Sequence, residues 1–253
     1  MKTLLVAGAF AMISTVALAQ VVAISGYEFM EPSTRELQDD DFLNPGIFLL
    51  DEGLALWGRP LGTGSESCQS CHTDIATDMA GVAARFPAYD AELGRVLSLE
   101  MKINAEIVGR LQGKSLDYES DDLLALTALI GYQSRGMPME IDSNPETLLL
   151  AEIGSEIFQT RRGQLNLSCQ NCHEQHWGET VRGATSSQGQ INAFPIYRLT
   201  WTDVGSRQRM FVWCMESIRS EPYDYGSDEF LALETFLAAR GRGLLIETPG
   251  VRR

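Results

Sequence analysis

The chain has 253 residues, 44% of them apolar, enough for one large domain or two small ones and too many for disorder to be the default. A formal charge of −14 argues against nucleic acid or an anionic membrane surface as a partner. The cysteines number five, an odd count that leaves at least one outside any pairing scheme.

Residues 1–19 read as a signal peptide: Lys2, an apolar run from Leu4 to Ile13, then Ala17-Leu18-Ala19 before Gln20. The run is too short to span a bilayer, and no later stretch is longer, so the expectation is an exported, periplasmic protein with no membrane span. The remainder repeats itself. Asn44-Pro45 and Asn144-Pro145 each look like a helix start, with Asn as N-cap and Pro at the first helical position. Each leads to a glycine (Gly53, Gly154) followed four residues later by an aromatic (Trp57, Phe158), and the first motif cysteine lies fifteen residues past each glycine. CQSCH at 68–72 then matches CQNCH at 169–173. Ser120-Asp121-Asp122 opens LLALTALI and Ser227-Asp228-Glu229 opens FLALETFL, each a Ser cap, acids in the first turn and an apolar stripe at helical spacing. Nothing reads as a sheet of any size. The expected fold is all-α, two tandem class I cytochrome c-like modules with long loops: residues 20–140 and 141–253.

In Cys-x-x-Cys-His, two thiols add to the vinyl groups of one haem and the adjacent imidazole ligates its iron. Two such motifs at matching places in an exported chain predict two covalently bound haems c, on Cys68, Cys71 and His72 and on Cys169, Cys172 and His173. A zinc site or redox dithiol fits the export and the trailing histidines less well. The one other histidine, His176, reads as a surface residue, so two bis-histidine haems are excluded and the distal ligands are Met, Cys, Lys or nothing. Cys214 lies where a small cytochrome c presents its distal ligand, between Met210 and Met215. Either a methionine or the thiolate could serve there; a thiolate would lower the haem potential, and Arg207, Arg209 and Arg219 would favour it.

The sequence resembles SoxA, the dihaem subunit of the SoxAX sulfur-oxidation cytochromes, over nearly the whole chain after the leader. The resemblance is carried by SGYEFMEPSTRELQDDDFLNPG, YQSRGMP, RRGQLNLSCQNCH, SQGQINAFPIYRLTW, Cys214 and the closing EPYDYGSDEFLALETFLAARGRGLLIETPGVRR. It implies that Cys214 is both distal ligand of the second haem and the catalytic residue, found in the family as a persulfide. It also implies oxidative conjugation of thiosulfate to a cysteine of a SoxYZ-type carrier, with electrons passing to a SoxX-type cytochrome. Arg209 is the candidate for holding the sulfonate. Other readings are a periplasmic dihaem electron carrier without sulfur chemistry, or a divergent paralogue acting on another sulfur compound. Two departures stand out. Where two-haem members carry a further cysteine, as ligand of the first haem, this chain has Glu106 in Ile103-Asn104-Ala105-Glu106. Counting back from the closing helices puts Ile107, to within about a residue, opposite Cys214, and neither Ile nor Glu is a good ligand, so Lys102, Met101, Met137 or no residue is left as distal ligand of the first haem. Met210 stands near a place where the family has a basic residue.

Overall fold

Two helix crossings set the architecture, and each is made possible by a glycine. In the computed structural model, which describes residues 22–181 and 183–253, α2 (Phe48–Gly58) crosses the later α6 (Asp121–Tyr132) at Gly53. A Cβ at Gly53 would lie 2.5 Å from the carbonyl oxygen of Ala125. The second half repeats the crossing with α7 (Pro145–Gln159) and α9 (Asp228–Arg240), where a Cβ at Gly154 would lie 1.9 Å from the Ala232 carbonyl oxygen. The aromatics one turn on, Trp57 and Phe158, are buried at 4% and 2% exposure, each in the core of its own half. The helix starts follow the sequence: Asn144, Ser120 and Ser227 accept main-chain N–H bonds as N-caps of α7, α6 and α9, and Asn44 caps a short 3-10 turn that runs into α2. The signal peptide expected at residues 1–19 lies outside the described residues.

The remaining elements hang on these two frames. Ahead of the first lies α1 (Pro32–Asp39); between its long helices come α3 (Cys68–Cys71), α4 (Ile75–Asp78), the ribbon β1 (Ala88–Asp90) and β2 (Arg95–Leu97), and α5 (Leu99–Gly109). Between α7 and α9 come a π-turn at Asn171–Gln175, the ribbon β3 (Thr180–Val181) and β4 (Ala184–Thr185), the ribbon β5 (Ile196–Arg198) and β6 (Asp203–Gly205), and α8 (Arg207–Ser217). The last strand, β7 (Gly250–Arg252), pairs in parallel with β5. The fold is the mostly helical pair of modules expected; the strands, of two or three residues, are additions that no alternating pattern announces.

The halves superpose in sequence by a shift of 108 residues through their middle. Phe86-Pro87 and Phe194-Pro195 open the two ribbons, and Ser98 and Ser206 cap α5 and α8. This register fixes the count made back from the closing helices, which reaches Ile107 only to within a residue: Cys214, eight residues past its cap, corresponds to Glu106, because the loop before α6 is one residue longer than that before α9. Ile107 is a core residue at 1% exposure.

The halves also share interior. Ala84, Met139 and Ile141 pack into the second core with Phe158 and Phe230. The N-terminal segment reaches across the molecule: Asn44 donates to the Pro249 carbonyl (2.9 Å) and Gln38 accepts from the Val251 N–H (3.0 Å). Between the modules Arg207 of α8 lies 3.6 Å from Glu100 of α5 and 3.4 Å from Glu234 of α9, all three buried. Burial, reinforced by the neighbouring Glu100, pushes the Glu234 carboxyl up to about 7.

Candidate haem sites and the cysteine centre

Both Cys-x-x-Cys-His segments are built by the same local device. Ser67 and Ser70 cap each other reciprocally at the start of α3, and in the second half Ser168 donates N–H and hydroxyl bonds to Asn171 at 2.9 and 3.1 Å. The residue between the two cysteines that differs between motifs, Ser70 or Asn171, is therefore the one that closes the turn. All five cysteines are free of disulfides, and each motif places its two thiols three residues apart with the imidazole at the next position.

The residues present fit covalent haem. Nδ1 of His173 lies 2.8 Å from the carbonyl oxygen of Ser187, which fixes the tautomer that leaves Nε2 for a metal. Gly189, at φ +74°, comes so close that a Cβ there would lie 2.9 Å from Cγ of the imidazole. Burial pushes the Cys169 thiol up to about 11 and holds the His173 imidazole below its ordinary range, the signs of an apolar, enclosed pocket. In the first half the His72 ring lies 5.8 Å from that of Trp57, whose buried indole N–H has no partner among the described residues and could meet a polar group of a haem. Cys71 and His72 are exposed, whereas Cys172 and His173 are half-buried. His176 is at the surface, with Nδ1 3.2 Å from Glu179.

The position opposite each motif differs completely between the halves. In the first, Glu106 accepts from Lys102 at 2.6 Å and from Arg110 at 2.5 Å, and Lys102 reaches back to Asp90 at 2.8 Å. Burial works against charge on Lys102, but the bonds to Asp90 and Glu106 outweigh it and hold its pKa above the ordinary value. Its ammonium group is thus engaged by two carboxylates, Asp90 and Glu106. Burial, and after it the neighbouring Cys71 and then Glu106, raise the Cys68 thiol above its ordinary pKa. Met137 is exposed and lies against Gly81, and Met101 is half-buried on α5.

In the second half the same three places hold Arg198, Met210 and Cys214. Cys214 is half-buried on α8, with Met215 in the core beneath it. Arg198 is buried at 8% exposure, donates to the Met210 sulfur at 3.1 Å and to the main-chain oxygen of Arg253 at 2.9 Å, and lies 3.9 Å over the Trp213 ring. The arginines close to Cys214 in sequence are engaged elsewhere. Arg209 binds Asp203 (2.7 Å) and the Val204 carbonyl (2.8 Å), Arg207 belongs to the buried cluster with Glu100 and Glu234, and Arg219 is exposed near Gln164. Sequence reading missed Arg198. The repeat Phe-Pro-x-Tyr at 86–89 and 194–197 would have placed it opposite Asp90.

A helical chain built twice around free Cys-x-x-Cys-His turns with oriented imidazoles is a c-type cytochrome, and its cofactor is covalently bound haem c. The comparisons place it further. The family model for the SoxA/TsdA cytochrome c domain matches residues 52–139 and 153–246, and the chain belongs to that family. It is 40% identical over 228 residues to the L-cysteine S-thiosulfotransferase subunit SoxA of Rhodovulum sulfidophilum, covering 90% of this chain and 79% of that protein. The corresponding subunit of Paracoccus pantotrophus is 40% identical, with 90% and 78% covered. The crystal structure of SoxXA from P. pantotrophus superposes with a TM-score of 0.87 at 40% identity, over 91% of this chain and 87% of that one. Among the described residues no helix is long and apolar enough to cross a membrane.

Proposed function

We propose that this protein is the SoxA-type subunit of an exported, periplasmic thiosulfate-conjugating enzyme. It carries two haems c, on Cys68, Cys71 and His72 and on Cys169, Cys172 and His173, and works with a SoxX-type cytochrome on a SoxYZ-type carrier. The observation that carries the reading is Cys214 itself: it is the cysteine left over from two complete haem motifs, half-buried on α8 eight residues past the Ser206 cap. In this reading His72 and His173 are iron ligands and Cys214 ligates the second haem. The relatives named L-cysteine S-thiosulfotransferase subunit SoxA and the SoxXA complex support the activity and the partner.

The chemistry follows from the thiol. The Cys214 sulfur forms a bond to the sulfane sulfur of thiosulfate, and two electrons leave the joined pair. A carrier cysteine thiolate then attacks that sulfane sulfur, the bond to Cys214 breaks, and Cys214 departs as thiolate. The carrier keeps a cysteine S-thiosulfonate, and atoms and charge balance. Haem c supplies one-electron acceptors close to the thiol. The protein's own task is to present Cys214 and to orient a small dianion against it.

The test is reconstitution: oxidised protein with a SoxX-type subunit, a SoxYZ-type carrier and thiosulfate, followed by mass spectrometry of the carrier peptide. The expected product is a thiosulfonate adduct on the carrier cysteine. An unmodified carrier from a complex with both haems in place would refute the proposal.

A further inference from the structure

We propose that Arg198 is the residue that binds the anionic end of the substrate beside Cys214; the proposal rests on the SoxA-type reading. Arg198 sits at the end of β5, sixteen residues before Cys214 in sequence, and the ribbon β5–β6 carries it to the start of α8. Its guanidinium lies over two indole rings, Trp213 at 3.9 Å and Trp201 at 5.1 Å, and donates to a thioether and a main-chain oxygen. Among the described residues no Asp or Glu side chain pairs with it; the oxygen of Arg253, the last residue of the sequence, takes only its Nε. Its Nη1 meets a thioether and its Nη2 meets no carboxylate side chain among the described residues, so that edge of the guanidinium is the one that can take up an anion. The sulfur of Cys214 is close enough to act on it electrostatically.

The space next to it suits that anion. A cavity of about 150 Å³ is bounded by Arg198, Thr200, Trp201, Trp213, Arg253 and Ala184, with no Asp or Glu among the described residues of its wall. Trp213 is the neighbour of Cys214, so this wall and the thiol share one turn of α8. A flat guanidinium offers parallel N–H donors that match two oxygens of a sulfonate, which a lysine cannot reproduce.

The first half supplies an internal control. At the positions of Arg198, Met210 and Cys214 it has Asp90, Lys102 and Glu106, joined by bonds of 2.8 and 2.6 Å and balanced by Arg110, 2.5 Å from Glu106. The same scaffold with charges closed on themselves has nothing to offer an anion. Arg209, nearer in sequence, is closed by Asp203 in the same way.

The experiment uses the holo complex with Arg198→Met and Arg198→Lys. Thiosulfate KM and kcat are read from conjugation, and sulfate, an unreactive probe, is titrated calorimetrically into the oxidised protein. Loss of one charge-assisted pair of bonds predicts a KM and a sulfate Kd about tenfold to hundredfold higher in Arg198→Met, with kcat at saturation little changed. Arg198→Lys should fall between, and reads the role even where the Met variant folds poorly, as judged by circular dichroism and the haem spectra. Unchanged KM and sulfate affinity in folded Arg198→Met would overturn the proposal, as would transfer of the effect to Arg209→Met. Where the wild type conjugates no thiosulfate, the functional reading fails on its own, and sulfate binding still tests Arg198.

Discussion

A single methyl group added at Gly154 should damage the second module more than the same change at Gly53 damages the first. The Cβ of Gly154→Ala would stand 1.9 Å from the Ala232 carbonyl oxygen and 2.7 Å from Cβ of Phe236. Ordinary contact begins near 3.4 Å, so α7 and α9 must part by roughly 1.5 Å, against roughly 0.9 Å for Gly53→Ala with its 2.5 Å approach to Ala125. A gap of 0.5–1 Å already forfeits about a quarter to a half of the dispersion energy across an interface. The Phe158–Phe236 ring contact, at 5.2 Å, lies in that interface. Against an overpacking cost of about 3 kcal/mol at Gly154 stands about 1 kcal/mol gained in helix propensity, a net loss of about 2 kcal/mol. At Gly53 the smaller shift costs about 1–2 kcal/mol, and the propensity gain cancels most of it. Urea unfolding of the haem-loaded variants, followed by circular dichroism, measures both. A Gly154→Ala protein as stable as wild type, or less affected than Gly53→Ala, would refute the reasoning.

Three further outcomes are expected. The folded-state pKa of Glu234 is raised from the ordinary 4.5 to about 7, so stability is highest below the unfolded pKa and falls as pH rises through the folded one. Glu234→Gln should therefore flatten the decline in melting temperature between pH 5 and 8, and an unaltered slope would contradict the assignment. Because the Lys102 amine is held protonated by Asp90 and Glu106, Lys102→Ala should leave the visible and EPR spectra of the first haem unchanged; an altered low-spin signal would make Lys102 a ligand. Gly189→Ala, strained at φ +74° and pressing on His173, should cost about 1–2 kcal/mol and perturb the second haem's spectrum alone, checked by unfolding and by EPR.

Much of this was legible in the residues. Asn44, Asn144, Ser120 and Ser227 announced the long helices because capping is a local interaction, and the two glycines with their aromatics marked the crossings. The haem motifs were equally plain, since their chemistry fixes their spacing. Register was harder to read. Counting from the closing helices reaches Ile107 only to within a residue, and one extra loop residue fixes the match at Glu106, on another face of the helix. The choice of Arg209 for the anion rested on nearness in sequence. Five residues along a helix is about 140° around it, and Arg209 closes on Asp203 instead. Arg198 comes from a three-residue strand paired across a ribbon, a contact that no periodicity in so short a segment could reveal.

The account turns on Cys214 as ligand and reacting sulfur. Low-temperature EPR of the oxidised protein, wild type against Cys214→Ala, tests it most directly, with thiosulfate conjugation assayed on the same samples. The prediction is that a low-spin thiolate-type signal disappears while both haems stay attached, the first haem's signal persists, and conjugation stops. Unchanged spectra together with retained conjugation would contradict it.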